Sequence, residues 1–443
     1  MRRFRFLAGA AAVAVLVAMS PAAPARATDS GASAGSNAAP GAAPRLLGTL
    51  STADIARHDR ARKPDVVEST ATVAAGTSCV TTAPGSKERA LGAVSSCTRL
   101  TPTVRTKRVS RAADPCDIGQ SGYWIYTRSG SCFKDFEGEY WLLDDRGRII
   151  GTAEFLASGS MTLSPGRATF TEHLTVTVTD TDRQVLALNI AMDAACTGAC
   201  SMADANPWDG MVTLVEGASA SGTVTYAASP SAGTQTNIQT SYHMFVVALG
   251  AIPIQPNYNW SNPWNVRCDN SLAVSGTTGC VYAAVRAQLV LPLSQYRAAA
   301  ATYAFAQIYL IDHWGAEDSP LRRQADTAIA NSNRRATCET PLDPFIPFDD
   351  SVVVDDSCDE YPFAATQQGG TTGSFCADIV ALQEADGLWY FYEARADKPV
   401  DFNEPCVRGH VPLGENESAG GKVGSLPQSE RVIDNEAYTV AIT

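Results

Sequence analysis

Two pairs of oxygen-bearing side chains near the C-terminus have the chemistry that phosphodiester hydrolysis needs. Asp359 and Glu360 are adjacent carboxylates, and Glu415 and Asn416 precede a turn of small residues at 418–421. Hard divalent cations such as Mg²⁺ and Mn²⁺ prefer carboxylate and amide oxygens as ligands. A carboxylate whose pKa is set by a neighbouring charge or metal can also remove a proton from water. These residue types are sufficient, though not unique, for metal-assisted hydrolysis.

The sequence around these pairs resembles a known family. Residues 358–364 read Cys-Asp-Glu-Tyr-Pro-Phe-Ala, two glycines follow at 369–370, and residues 411–421 read Val-Pro-Leu-Gly-Glu-Asn-Glu-Ser-Ala-Gly-Gly. These three motifs, in this order, resemble the secreted bacterial deoxyribonucleases of the NucA/NucB family. The resemblance covers residues 338–443. The segment between Gly370 and Glu415 is longer than in minimal family members, and we interpret it as an insertion that Cys376 and Cys406 staple.

The resemblance implies a compact ββα-metal nuclease core in which an aspartate replaces the usual histidine base. Asp359 matches that base. Asn416 matches the asparagine on the metal side, where it would bind Mg²⁺ or Mn²⁺ directly or through water. The roles of Glu360 and Glu415 stay open: either residue could bind metal, orient water or stabilise the fold. His410 is an accessory acid–base candidate, and the alternative is a loop histidine without a catalytic role.

The charge of this region opposes nucleic-acid binding. Residues 338–443 hold 20 Asp and Glu against 5 Lys and Arg, a formal charge of −15. Phosphate contacts supply much of the affinity of proteins for DNA. The residues predicted to make these contacts are Arg322, Arg323, Arg334 and Arg335. The alternative is that these arginines pair with the acidic domain.

The N-terminus predicts export. Arginines at positions 2, 3 and 5 precede an apolar run over residues 6–19 and the small-residue triplet at 25–27. This order is typical of a signal peptide cleaved after Ala27. No second apolar stretch follows, so we expect a secreted extracellular protein without stable membrane association, assumed to be a monomer.

Twelve cysteines remain after this cleavage. An even number in an oxidising compartment predicts disulfides, and neighbours in sequence fall into six local pairs. Zinc is the alternative for Cys196 and Cys200, although no second ligand pair lies nearby at finger spacing.

The remaining chain predicts an α+β fold with distinct regions. Residues 28–115 are interpreted as a linker or pro-segment, mostly of low order, and this includes the basic run at 105–111. Residues 116–292 alternate with period two and predict a β-rich module of sandwich or barrel type. Residues 293–337 form a helical lead-in, with helices predicted over 294–312 and 320–335. Residues 338–443 form the nuclease-like domain, with strands predicted at 351–354, 388–392 and 438–442.

The β-rich module contains aromatic residues with two interpretations. Trp124, Tyr126, Tyr140 and Trp141 form either a ligand-binding face, as in sugar-binding modules, or part of the core and its cross-strand pairs. The first would give the module a recognition role, and the second a structural one.

Together these features predict a secreted, metal-dependent endonuclease that acts on extracellular DNA, with RNA as an alternative substrate. No Gly-X-Ser-X-Gly elbow, Walker loop or His-Glu-X-X-His helix occurs. The alternative from another class is a non-catalytic secreted binding protein. In that case the nuclease domain is degenerate and the β-rich module recognises a cell-wall polymer or sugar.

Overall fold

The computed structural model describes residues 44–61, 67–70, 77–101, 105–108, 116–117, 121–248, 258–272 and 277–443. The predicted signal peptide at 1–27 lies outside the described residues. So does most of the small-residue segment that follows it.

The region predicted to be a linker of low order contains regular structure where it is described. Its elements are β1 (Leu46–Leu50), α1 (Thr52–Ala61), β2 (Val67–Thr70), β3 (Thr77–Thr81), α2 (Lys87–Ala90), β4 (Ser95–Thr101) and β5 (Arg105–Arg108). The described residues here, including 105–108, thus lie mainly in helices and strands, and the role of residues 28–115 as a linker or pro-segment stays a prediction. β1 pairs with the distant β22, whereas β3 pairs with β4 and β5 pairs with β2 and β6. This pairing satisfies main-chain groups without any local periodic pattern.

Strands dominate the region predicted to be β-rich. They are β6 (Tyr123–Thr127), β7 (Gly130–Leu143), β8 (Ile149–Thr162), β9 (Thr169–Thr181), β10 (Leu188–Thr197), β11 (Cys200–Met202), β12 (Val212–Leu214), β13 (Ser219–Ala228), β14 (Gln235–Ala248), β15 (Tyr258–Ser261), β16 (Val266–Asp269), β17 (Gly279–Val281) and β18 (Ala287–Leu291). One sheet contains β13-β9-β8-β7-β6 and the other β12-β10-β14-β16-β17. Residues of both sheets share one hydrophobic core.

The alternation in β9 shows why these strands form. Phe170, Leu174, Val176 and Val178 are buried, whereas the threonines between them are exposed or half-buried. Such a pattern places one face of a strand on a core.

The aromatic residues of the module belong mainly to that core. Trp124, Tyr126 and Tyr140 are buried, which favours the structural interpretation. Trp141 is half-buried, and the guanidinium of Arg99 lies 5.0 Å from its ring centre.

The C-terminal region mixes helices and strands. Its elements are α3 (Leu293–Tyr309), β19 (Leu321–Arg322), α4 (Thr327–Cys338), β20 (Asp356–Tyr361), a 3₁₀ turn (Gly373–Phe375), β21 (Ala377–Gln383), β22 (Trp389–Glu393), β23 (Val407–Pro412), α5 (Leu413–Ser429) and β24 (Ala437–Ile442). The predicted helix over 294–312 and the strands at 388–392 and 438–442 are confirmed within a few residues.

Two predicted elements differ. The helix predicted at 320–335 begins at Thr327, because Asp326 caps it by accepting hydrogen bonds from the main-chain N–H groups of residues 328 and 329. The strand predicted at 351–354 is a turn, since Asp349 accepts from the main chain of residues 351 and 352. Hydrophobicity alone does not reveal either competing hydrogen bond.

A five-stranded sheet in the order β1-β22-β21-β23-β20 carries the candidate site. β20 and β23 are antiparallel, with Asp359 opposite Gly409 and Glu360 opposite Arg408. Helix α3 packs on one face of this sheet and also contacts α5. Helix α4 contacts the other face through Arg334 and Glu360.

Six disulfides join the cysteines that are neighbours in sequence. The pairs are Cys79–Cys97, Cys116–Cys132, Cys196–Cys200, Cys268–Cys280, Cys338–Cys358 and Cys376–Cys406. The local pairing is therefore confirmed, and the thiols of Cys196 and Cys200 are not free to bind zinc. Among the described helices, none has the length and apolar character needed to cross a bilayer.

Candidate active site

The two adjacent acids of β20 point to opposite faces of the sheet, as alternation along a strand requires. Asp359 meets Tyr303 of α3 on one face. Glu360 meets Arg334 of α4 on the other. The Asp-Glu pair is therefore not a joint carboxylate site.

Asp359 is buried beneath α3, with a side chain that retains little contact with solvent. The residue is 4% exposed, and the Tyr303 hydroxyl lies 2.8 Å from Oδ2 and 3.1 Å from Oδ1. Burial raises the pKa of Asp359 well above its usual range, and the charge of Glu360 adds to this effect. The hydrogen bond from Tyr303 opposes both by lowering the pKa.

Glu360 is held by an ion pair behind the sheet. The Arg334 Nε lies 3.3 Å from its Oε1, and the Cys338–Cys358 disulfide ties the end of α4 to the same strand. Burial raises the pKa of Glu360, and Arg334 lowers it in part. These contacts fit a structural role.

Asn416 lies in the first turn of α5 and is fixed against β20. Its Nδ2 donates to the Ser357 hydroxyl at 3.1 Å and to the Cys358 carbonyl at 2.9 Å. The carbonyl contact assigns the nitrogen, because only the amide N–H₂ group can donate to a carbonyl. Ser357 is two residues before Asp359 on the same strand, so Asn416 and Asp359 belong to the same face.

Glu415 contacts α3. Its Oε2 accepts from the main-chain N–H of Ala298 at 2.8 Å, and its Oε1 accepts from the Arg297 Nε at 3.1 Å. Arg297 has a φ of 41°, in the left-handed region that side chains other than glycine seldom adopt. The carboxylate therefore caps the helical segment that starts after this kink.

His410 points to the face opposite Asp359. It stands across from Cys358 in the strand register. Its Nδ1 lies 2.6 Å from the Asp356 Oδ2, and its ring lies between those of Phe345 and Phe348, with centres 4.3 and 4.2 Å away. It packs and pairs there, away from the candidate base.

The four arginines predicted to contact DNA have different surroundings. Arg322 and Arg323 donate to main-chain carbonyls of the segment 432–435, and burial lowers the pKa of Arg323. Arg334 is paired as described above. Arg335 is exposed, and its contact with DNA remains a prediction.

The side-chain oxygen of Asn416 is the candidate ligand for a divalent cation. Both contacts of its amide use Nδ2, which leaves Oδ1 as the ligand atom. Glu415 fits this role less well, because each of its oxygens already accepts a hydrogen bond. Among the residues that the structure describes, no group of three or more His, Cys, Asp or Glu side chains is placed to hold a metal. A cation here would therefore depend on Asn416, water and phosphate oxygens, as is common for Mg²⁺.

Sequence reasoning missed Tyr303 and Arg297. In the sequence, Tyr303 is a bulky residue within an alanine-rich segment. The available signal was that a phenol with a polar tip, once buried among alanines, needs a hydrogen-bond acceptor.

The fold and the site define a mixed α/β domain with a buried carboxylate on a central strand and an asparagine at the start of the adjoining helix. Residues 309–392 match the model of the family described as deoxyribonuclease NucA/NucB. This match supports the resemblance to the NucA/NucB family that the motifs at 358–364 and 369–370 indicate. The match begins before residue 338 and includes Asp359 and Glu360, but ends before Asn416. No curated protein matches the chain.

Proposed function

We propose that this chain is a secreted, metal-dependent endonuclease that hydrolyses phosphodiester bonds of extracellular DNA, with RNA as an alternative substrate. The observation that carries the proposal is Asp359, a buried carboxylate at the aspartate of the family motif and within the matched segment. Six disulfides support an extracellular location, since such bonds persist in oxidising compartments.

Asp359 acts as the general base in this proposal. A water O–H bond breaks and its proton moves to the carboxylate, while the water oxygen forms a bond to phosphorus. The bond to the leaving ester oxygen breaks, and that oxygen takes a proton from another water. Glu360 and Arg334 hold β20 from behind and take no part in the proton transfer.

Asn416 would hold Mg²⁺ or Mn²⁺ through Oδ1, together with water and phosphate oxygens. When bound, the cation supplies charge neutralisation at the phosphate. We propose that Glu415 serves the site by capping α3. The formal charge of −15 in this region makes such neutralisation necessary for a DNA phosphate to approach.

Cleavage of supercoiled plasmid by the purified oxidised protein tests this proposal. We expect nicking with Mg²⁺ or Mn²⁺ that EDTA abolishes and that Asp359→Ala abolishes. Glu384→Ala, which removes an exposed carboxylate just after β21, is the matched control and should cleave like the parent. Folded protein that cleaves with neither metal would favour the non-catalytic binding protein instead.

A further inference from the structure

A helix outside the family match carries the hydroxyl that holds the candidate base. The match starts at residue 309, whereas Tyr303 lies within α3 at 293–309. Its hydroxyl lies within hydrogen-bond distance of both Asp359 oxygens, at 2.8 and 3.1 Å. Asp359 thus accepts its hydrogen bond from a residue that the matched segment does not contain.

Tyr303 has little freedom to leave this position. It is 1% exposed. Its ring stacks on that of Tyr361 with centres 5.3 Å apart, and it meets the edge of Phe363 at 5.0 Å. Burial raises the pKa of Tyr303 well above its usual range, so the phenol stays protonated and remains a donor.

The helix itself is fixed at several points around Tyr303. Glu415 caps it at Ala298, and the Gln307 amide donates to the Tyr361 hydroxyl at 3.2 Å. Opposite Asp359 in the register stands Gly409, where an added Cβ would lie 2.6 Å from the Thr302 Cγ2. Helix α3 can therefore approach the sheet closely because position 409 has no side chain.

We infer that Tyr303 is the positioning residue for Asp359, and that α3 therefore belongs to the nuclease site. The inference rests on the proposed function. Tyr303 orients the carboxylate and stabilises its ionised form, which is the form that accepts a proton from water. Without this donor, burial and the charge of Glu360 leave the carboxyl in its protonated form over a wider pH range.

The charged and titratable groups around Asp359 are few. Tyr303 faces it from α3 and Glu360 adjoins it on β20, while Arg334 of α4 acts through its charge. The β23 residue opposite is a glycine. Removal of the Tyr303 hydroxyl therefore removes a donor while leaving these charges in place.

The test compares Tyr303→Phe with Tyr296→Phe, which makes the same chemical change at another buried tyrosine of α3. We expect Tyr303→Phe to keep KM and the melting temperature close to those of the parent and to lower kcat about 10- to 100-fold near neutral pH. The acidic limb of the kcat profile should move to higher pH, so that the deficit shrinks as pH rises. Tyr296→Phe should match the parent.

A purely structural role would instead change KM or the melting temperature and lower kcat equally at every pH. Should Tyr303→Phe fail to fold, 3-fluorotyrosine at position 303 keeps the shape and strengthens the donor, and the acidic limb should then move to lower pH. An unmoved profile in both variants, with an active parent and an inactive Asp359→Ala, would overturn the inference alone. An inactive parent would overturn the proposed function, and the inference with it.

Discussion

Two buried carboxylates in this protein are held by tyrosine hydroxyls, one in each region. In the β-rich module, Glu172 is 1% exposed and accepts from Tyr226 at 2.8 Å and Tyr242 at 2.6 Å, one on each oxygen. In the C-terminal region, both oxygens of Asp359 share the single hydroxyl of Tyr303. The first carboxylate has a separate donor for each oxygen, and the second does not.

The comparison shows that burial and a raised pKa do not by themselves make a catalytic group. Burial raises the pKa of Glu172 to about 7, yet Glu172 is buried with a tyrosine donor on each of its oxygens. Asp359 has fewer donors, an acidic neighbour in Glu360 and an asparagine anchored on the same strand face. A carboxylate with unused acceptor capacity beside a further ligand is the better candidate for chemistry.

Replacing each carboxylate by its amide is the most direct way to break this comparison. Asp359→Asn should lower the rate of plasmid cleavage about 10²- to 10⁴-fold, because a base is lost. Glu172→Gln should leave the rate within about twofold. Initial rates at equal protein concentration decide this, and equal losses in both variants would mean that the two carboxylates do not differ in role.

The junction of the two regions predicts a large effect on stability. Arg431 is fully buried and follows α5, and its guanidinium lies 2.9 Å from Asp269 and donates to the Pro165 carbonyl at 2.6 Å. Arg431→Ala should lower the free energy of unfolding by about 3–5 kcal/mol, since Asp269 loses one of its two arginine partners and main-chain carbonyls lose their charged donor.

Urea denaturation measures this loss. Arg148→Ala, which removes an exposed arginine that pairs with Asp144, is the control and should cost less than about 1 kcal/mol. Equal effects from both variants would show that the regions are not held together at Arg431.

Glu172 of the β-rich module should make the free energy of unfolding depend on pH. The pKa of Glu172 is about 7 in the folded protein, above its ordinary value of 4.5. The folded state thus binds the proton of Glu172 more tightly than the unfolded state does. The stability gained from this proton is fully present below about pH 4.5 and is lost as pH rises through 7. It amounts to on the order of 3 kcal/mol.

Glu172→Gln should remove this part of the pH dependence. Melting temperatures of parent and variant between pH 5 and 9 provide the measurement. A parent whose stability does not fall relative to the variant between about pH 5 and 7 would contradict the assignment.

The smallest expected effect concerns which region contacts DNA. In an Asp359→Asn background, Arg335→Ala should reduce the slope of log affinity against log salt by about 0.9, the value for one phosphate contact. Arg183→Ala removes an exposed charge of the β-rich module and should leave the slope unchanged. The reverse result would place the DNA contacts on the module.

Local patterns predicted much of this fold, and long-range contacts account for the rest. Period-two alternation identified strands such as β9, and cysteine order identified all six disulfides. The motif located Asp359, but Tyr303 is 56 positions away, and no spacing rule connects them. Likewise, nothing local indicates that Glu415 caps α3, because that contact exists only once α3 and α5 have packed.

Because Asp359 and Glu360 point to opposite faces of the sheet, the number of residues in this part of the chain is constrained. A residue added in the loop before β20 changes only a length, whereas one added between the disulfide-bonded Cys358 and Asp359 would send the acid towards α4 and its neighbour towards α3. We therefore expect insertions and deletions among functional relatives to be tolerated upstream of Asp356 and absent from 356–361. Along this strand, whether a position is odd or even decides whether its side chain meets α3 or α4.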